Sequence, residues 1–155
     1  MRPAPLLAAL LCGALILPAL ANAGDMRAKA ADVTEKSGVV QEKVVYHIND
    51  ASVARIAMRN IENHLDASPG VKIVVVTHGK GIDFLLNDAR DDKGAFEPQV
   101  AGLRDRGVTF DVCRNTLKGR KLDDGAVIME AQVVPSGVAE IARLQAREGY
   151  VYLKP

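Results

Sequence analysis

The chain is 155 residues long, with 20 basic and 19 acidic side chains, a formal charge of +1, 48% hydrophobic residues and two cysteines. That length holds one domain with a real core. A balanced charge with no basic block and no basic–aromatic interleaving argues against nucleic acid as a partner.

Residues 1–23 read as a secretory signal. Arg2 supplies a positive start, Leu6 to Leu20 is an apolar run broken by Gly13 and Pro18, and Ala21-Asn22-Ala23 fits the small-x-small cleavage pattern. The run is short for a membrane span. Ala9-Leu10-Leu11 puts bulky leucines where a lipoprotein signal ending at Cys12 wants small residues. Cleavage after Ala23 is expected to leave residues 24–155 in the periplasm, free of the membrane. Loss of Arg2 makes that product formally neutral, and loss of Cys12 leaves Cys113 as its single cysteine. One leftover cysteine in an exported protein signals a free reactive thiol or an intermolecular bridge; a small buried hydrophobe is the plainer alternative.

Residues 24–42 are polar and weakly patterned, an N-terminal arm that pairs or docks near Val39-Val40. From Lys43 the pattern changes. Val44 to Ile48 reads as a strand, and Asn49 to Ser52 as a turn that caps a helix. Val53, Ile56, Ala57, Ile61 and Leu65 fall on one helical face, with Arg55, Arg59 and Glu62 toward solvent. Val71 to Thr77 is the strongest strand, apolar enough to be buried on both faces as in a parallel sheet. His78-Gly79-Lys80-Gly81 and the short apolar piece Ile82–Leu86 follow, then a charged loop, 87–95. Phe96 to Arg106 is a helix closed by Gly107. Val108 to Val112 is a strand, Cys113 its junction with a helix that runs toward Leu122, and Asp123-Asp124-Gly125 a turn. Ala126 to Val134 reads as a further strand stopped by Pro135. Ser136 caps a helix with Val138, Ile141, Ala142 and Gln145 on one face, Gly149 ends it, and Tyr150 to Leu153 is the last strand. Alternating strands and helices over 43–153 predict one α/β domain: a three-layer α/β/α sandwich on a mainly parallel five-stranded sheet.

Ligands of such sheets bind beyond the carboxyl ends of the strands. The residues expected there are His47 and Asn49, His78 and Gly79, Cys113 and Asn115, and Pro135 with Ser136. Cys113, at a strand-to-helix junction beside Arg114, has the surroundings that favour thiolate: unpaired helix N–H groups, a helix dipole and a cation. His64, within the first helix, reads as a surface or satisfied residue. Gly79-Lys80-Gly81 lacks the spacing of either phosphate-binding fingerprint and reads as a tight turn. No His-x-x-x-His or Cys-x-x-Cys pair announces a metal site, so no metal and no cofactor is expected. Ser136 lacks the Gly-x-Ser-x-Gly surroundings of a hydrolase nucleophile.

Lys43 to His47, Val75 to Ile82, Cys113 to Leu117, Val133 to Val138 with Leu144-Gln145, and Gly149 to Pro155 together resemble an exported branch of the DsrE/DsrF-like family over roughly residues 43–155. The resemblance implies the α/β/α sandwich and assembly into homotrimers or homohexamers. Sulfur-relay members such as DsrE and TusD carry a persulfide on a cysteine in a strand-end loop, and Cys113 resembles that residue. Those relay proteins work in the cytoplasm with partner subunits, whereas this chain carries an export signal.

The leading expectation is a periplasmic sulfur-handling protein, sulfurtransferase-like or a carrier. Cys113 would hold sulfane sulfur as a persulfide, passed between a small sulfur compound or a donor protein and an acceptor. Arg114 and the following helix N-terminus would lower the thiol pKa, and His47 or His78 would position the donor or move a proton. The alternative is a non-catalytic protein that binds a small ligand or serves assembly through the same crevice. A third reading is a zinc or copper site of His47, His78 and Cys113, which requires three strand ends to meet.

Overall fold

In a computed structural model the described residues are 41–155; the expected signal segment and the arm up to residue 40 lie outside them. Strand β1 (Lys43–Asp50) leads through a 3-10 turn, Ala51–Val53, into helix α1 (Ala54–Ala67) and strand β2 (Lys72–Lys80). A second 3-10 turn, Asp83–Leu85, precedes a two-residue hairpin of β3 (Arg90–Asp91) and β4 (Gly94–Ala95), then helix α2 (Glu97–Asp105). Strand β5 (Thr109–Cys113) runs directly into helix α3 (Arg114–Gly119), followed by the 3-10 turn Asp124–Ala126 and strand β6 (Gln132–Val134). Helix α4 (Gly137–Glu148) and strand β7 (Val151–Leu153) complete the chain.

The main sheet is five-stranded in the order β6-β5-β2-β1-β7, every pair parallel. Steps from β1 to β2 to β5 to β6 all move the same way across the sheet. Right-handed crossovers therefore put α1, α2 and α3 on one face. The return from β6 to β7 runs the other way, and α4 falls on the opposite face. The packing agrees: Ala57, Met58, Ile61, Val100, Leu103 and Leu117 of the first three helices share a core with Val44, Tyr46, Ile48, Ile73, Val75, Phe110 and Val112. Ile141 and Leu144 of α4 pack instead on Val45, Val74 and Val76. The fold is thus a three-layer α/β/α sandwich, as the alternation of elements predicts.

β2 is central because its five consecutive residues Ile73 to Thr77 are all buried and tolerate cover on both sides. It extends three residues past Thr77 because Gly81 lies hard against the end of β1. A β-carbon at Gly81 would collide with the Ile48 carbonyl, so only glycine fits there. The tail of the arm docks on this layer, with Lys72 N–H donating to the Glu42 carbonyl at 2.9 Å and the Gln41 amide donating to the Gly70 carbonyl at 2.8 Å.

Several sequence expectations need correction. The strand expected over Ala126–Val134 is only Gln132–Val134. Val127 forms an isolated antiparallel bridge to Leu86, Ile128 N–H donates to Leu85 O and its side chain enters the core, so this apolar stretch clamps the loop after β2 rather than extending the sheet. The helix after Cys113 stops at Gly119, well short of Leu122. On α1 the buried stripe is Ala54, Ala57, Met58 and Ile61, and Ile56 is 54% exposed. On α4 the stripe begins at Gly137 and continues through Ile141 and Leu144, which turns Val138, Ala142 and Gln145 outward.

Arg55, expected toward solvent, is the centre of a polar knot. Its guanidinium lies 4.1 Å from the Phe96 ring centroid and donates to Asp91, to Gln99 and to the carbonyls of Gly94 and Ala95. This knot orders the charged loop 87–95 into the β3–β4 hairpin.

Candidate functional site

At the carboxyl edge the neighbouring strands β5, β2, β1 and β7 bring Cys113, His78, His47 and Tyr152 into one row. Period-2 alternation puts all four on the α4 side: His47 follows Val45, His78 follows Val76 and Cys113 follows Asp111, while the intervening Tyr46 and Val112 feed the other core. Tyr152 sits in register with Val45. Ring contacts confirm the row. His47 Nε2 and His78 Nε2 are 2.7 Å apart, and His47 Nδ1 is 2.7 Å from the Tyr152 hydroxyl.

Cys113 is the N-cap of α3 and only 5% exposed. Burial raises the energy of its thiolate, but the polar hydrogens of the Gly137 N–H, the Thr116 hydroxyl and the Thr116 and Asn115 N–H groups favour the anion, and these hold the pKa below that of an ordinary thiol. Two helix N-termini therefore converge on one sulfur, α3 through Asn115 and Thr116, α4 through Gly137. The Thr116 hydroxyl is itself oriented: it accepts from Gly79 N–H at 3.1 Å, which leaves its own proton for the sulfur.

Gly137 reaches the sulfur because it has no side chain. A β-carbon there would lie 3.2 Å from Cys113 Cβ and from Thr77 O, and 3.4 Å from His78 Cβ. The same crowding shows that Cys113 and His78 flank one point beneath the start of α4. Ser136 caps that helix, its hydroxyl accepting from Ala139 N–H at 3.5 Å.

The other expected residues divide. The Asn115 backbone N–H helps to favour the thiolate, and Gly79 contributes the N–H that orients Thr116, while its carbonyl accepts from Arg120 at 2.9 Å. Asn49 lies exposed at the irregular end of β1, where its backbone borders Gly79. Arg114 is a correction. Its guanidinium binds Asp124, with Nη2 2.6 Å from Oδ2, and it is absent from the groups that hold the sulfur's charge. The first turn of α3 points this side chain away from the strand end. His64 is satisfied on both ring nitrogens, by the Tyr46 hydroxyl at 2.9 Å and the Glu42 carboxylate at 2.8 Å.

Sequence reasoning missed Thr116, Gly137 and Tyr152 as site residues. Thr116 and Gly137 carried a signal, one in the first helical turn after the cysteine, the other directly after a helix cap. Tyr152 carried none, because the sequence does not say that β7 pairs with β1. One further polar group lies under α4: Asp111, 2% exposed, accepts from the Gln132 amide at 2.7 Å, and burial pushes its carboxyl up to about 6 against that bond. Among the described residues no three His, Cys, Asp or Glu side chains are placed to hold a metal ion, and no helix is long and apolar enough to cross a membrane.

No curated protein matches the chain. Among solved structures it is similar to a protein of unknown function, MTH1491, from Methanobacterium thermoautotrophicum: 31% identity, a TM-score of 0.68, and 74% of this chain against 100% of that one. Residues 42–155 match the DsrE/DsrF-like family, and since that match covers every strand and helix described above, the chain belongs to the DsrE/DsrF-like family.

Proposed function

We propose that this protein carries sulfane sulfur as a persulfide on Cys113, in the manner of the sulfur-relay branch of its family. One observation supports this above the others: a sulfur that is nearly buried, yet sits where the polar hydrogens of Gly137, Thr116 and Asn115 at the mouths of two helices favour its thiolate. An inert core cysteine has no use for such donors, whereas a nucleophilic thiolate, and the persulfide anion that replaces it, needs them. Export to the periplasm, argued from the apolar run and Ala21-Asn22-Ala23, belongs to the same reading. So does assembly into homotrimers or homohexamers. Among the described residues, the edge strand β7 leaves Val151, Tyr152 and Leu153 exposed and its outer side unpaired, an apolar edge of the kind that partners cover.

The test is intact mass of the purified protein after exposure to thiosulfate, polysulfide or an organic persulfide. The expected result is a gain of one sulfur, located to Cys113 by fragmentation and lost on reduction. Thr116→Val should raise the pH midpoint of Cys113 alkylation, since one of the donors disappears. Native protein that neither gains sulfur nor alkylates until it is unfolded would end the proposal.

A further inference from the structure

The row at the carboxyl edge holds more chemistry than a thiolate cradle requires. The two His47 hydrogen bonds join three side chains from three strands into one chain, Tyr152–His47–His78. Two nitrogens facing each other at 2.7 Å share one proton, so the chain has two neutral arrangements. In one, the Tyr152 hydroxyl donates to His47 Nδ1, His47 Nε2–H donates to His78 Nε2, and His78 Nδ1 carries a proton. In the other, His78 Nε2–H donates to His47 Nε2, His47 Nδ1–H donates to the Tyr152 oxygen, and His78 Nδ1 is a bare lone pair. Among the described residues, His78 Nδ1 makes no hydrogen bond in either case. A base whose Nε2 is held by a second group and whose Nδ1 makes no hydrogen bond, on a residue that borders the same glycine as the thiol, has the elements of a catalytic dyad with its orienting residue.

We propose that His78 is the acid–base of sulfur transfer at Cys113, with His47 and Tyr152 positioning its ring and selecting its tautomer. This rests on the sulfur-carrier reading and names its substrate class, an organic persulfide R–S–SH. His78 Nδ1 takes the proton of the Cys113 thiol as Sγ attacks the outer sulfur of R–S–SH. The new Sγ–S bond forms as the R–S bond to that sulfur breaks, and His78 returns the proton to the departing R–S⁻. The products are Cys113–S–SH and R–SH, with no net oxidation and no further reactant. No hydrogen bond joins the imidazole to the sulfur in the resting protein, although the β-carbons of both residues border Gly137. Burial, His78 and Lys154 all lower the affinity of His47 for a proton. Glu140, the acidic group in the first turn of α4, acts on Asp111 instead.

The experiment measures the initial rate of sulfur gain from cysteine persulfide as a function of pH, together with the pH midpoint of Cys113 alkylation, for the full chain and three variants. His78→Gln should slow loading by about 10²-fold, within the usual contribution of a general acid–base, and flatten the acid limb of the profile. His47→Gln should move that limb with a smaller loss of rate. Tyr152→Phe, at a partly exposed edge position that tolerates the change, should move the limb while leaving the fold intact; it decides the matter if the histidine variants do not fold. A merely structural role would leave both the limb and the alkylation midpoint in place, and that result in Tyr152→Phe and His78→Gln overturns the proposal. A wild-type chain that gains no sulfur removes the carrier reading and this mechanism with it. A wild-type chain that loads, with variants indistinguishable from it, removes only the mechanism.

Discussion

The two faces of the sheet are built on opposite principles. Beneath α1, α2 and α3 lies one continuous apolar core, including Phe84, Phe96, Phe110, Ile61 and Leu117, and its one large polar intruder, Arg55, is held at its margin by hydrogen bonds on every side. Beneath α4 the buried apolar set is small, Val45, Val74, Val76, Ile141 and Leu144, and the same strands carry Asp111, Cys113, His47 and His78. On the first face the polar groups saturate one another. On the second a thiol is nearly enclosed, a carboxyl is kept protonated to about pH 6 and an imidazole nitrogen is left open. A face that only stabilises the domain spends its polar groups on itself; the face that holds the candidate site keeps some unspent.

The largest effect should come from the first face. Phe110 is fully buried at the centre of the sheet, and Phe110→Ala removes an aromatic ring from a site walled by two helices and neighbouring strands. A loss of about 3–5 kcal/mol in urea unfolding is expected. A loss near 1 kcal/mol would mean that this core is loosely packed and that the contrast between faces is false.

The second effect belongs to Asp111, and its sign distinguishes the faces. Its carboxyl is raised in the fold, from the usual 3.8 to about 6, first by burial, opposed by the Gln132 amide, with Glu140 raising it further and Arg143 lowering it. Below pH 3.8 the folded and unfolded carboxyls are both protonated, and the site contributes its full stability. As pH rises through the interval to about 6 the unfolded chain ionises first, and about 3 kcal/mol is lost. Asp111→Asn should therefore stabilise the protein at pH 8 by about 1–3 kcal/mol, the lower part of that range allowing for an imperfect amide fit, and change little at pH 4. Thermal unfolding across pH reads this directly. Equal stability of the two proteins at pH 8 would show that the carboxylate is already solvated under α4.

How far the sequence discloses these faces depends on the kind of information each needs. The strands and their parallel order of connection follow from local patterns: a five-residue buried run in β2, alternation in β5, glycine after α2 and α4. Cys113 as the centre of the candidate site follows from the strand-to-helix junction, and His47 and His78 beside it from their places at strand ends. The misreadings share a cause. Arg114 is next to Cys113 in sequence, yet a helix turns successive side chains about 100° apart, and the residue after an N-cap looks elsewhere. Ile128 was placed by hydrophobicity, which is the same for a strand and for a clamp. Tyr152 needed the strand order, and β7 returns beside β1 through a crossover that no local pattern records.

The smallest effect sharpens the comparison at the outer surface of the crowded face. Ile56 projects from α1 one residue beyond Arg55 and is 54% exposed, off the stripe of Ala54, Ala57, Met58 and Ile61 that fills the core. Its hydrophobicity serves nothing inside the domain, so Ile56→Lys should change the stability of the isolated domain by no more than about 0.5 kcal/mol, the usual range for surface positions. Lysine is also a good helix former, which removes any propensity cost at this site. If trimers or hexamers form through β7 and the α4 side, light scattering should find the variant in the same assembly as the wild type, while Leu153→Lys on the exposed edge strand should weaken it. The reverse result, assembly lost with Ile56→Lys and kept with Leu153→Lys, would assign the subunit contact to the crowded face and leave the edge beside His47 and Tyr152 open to a sulfur donor.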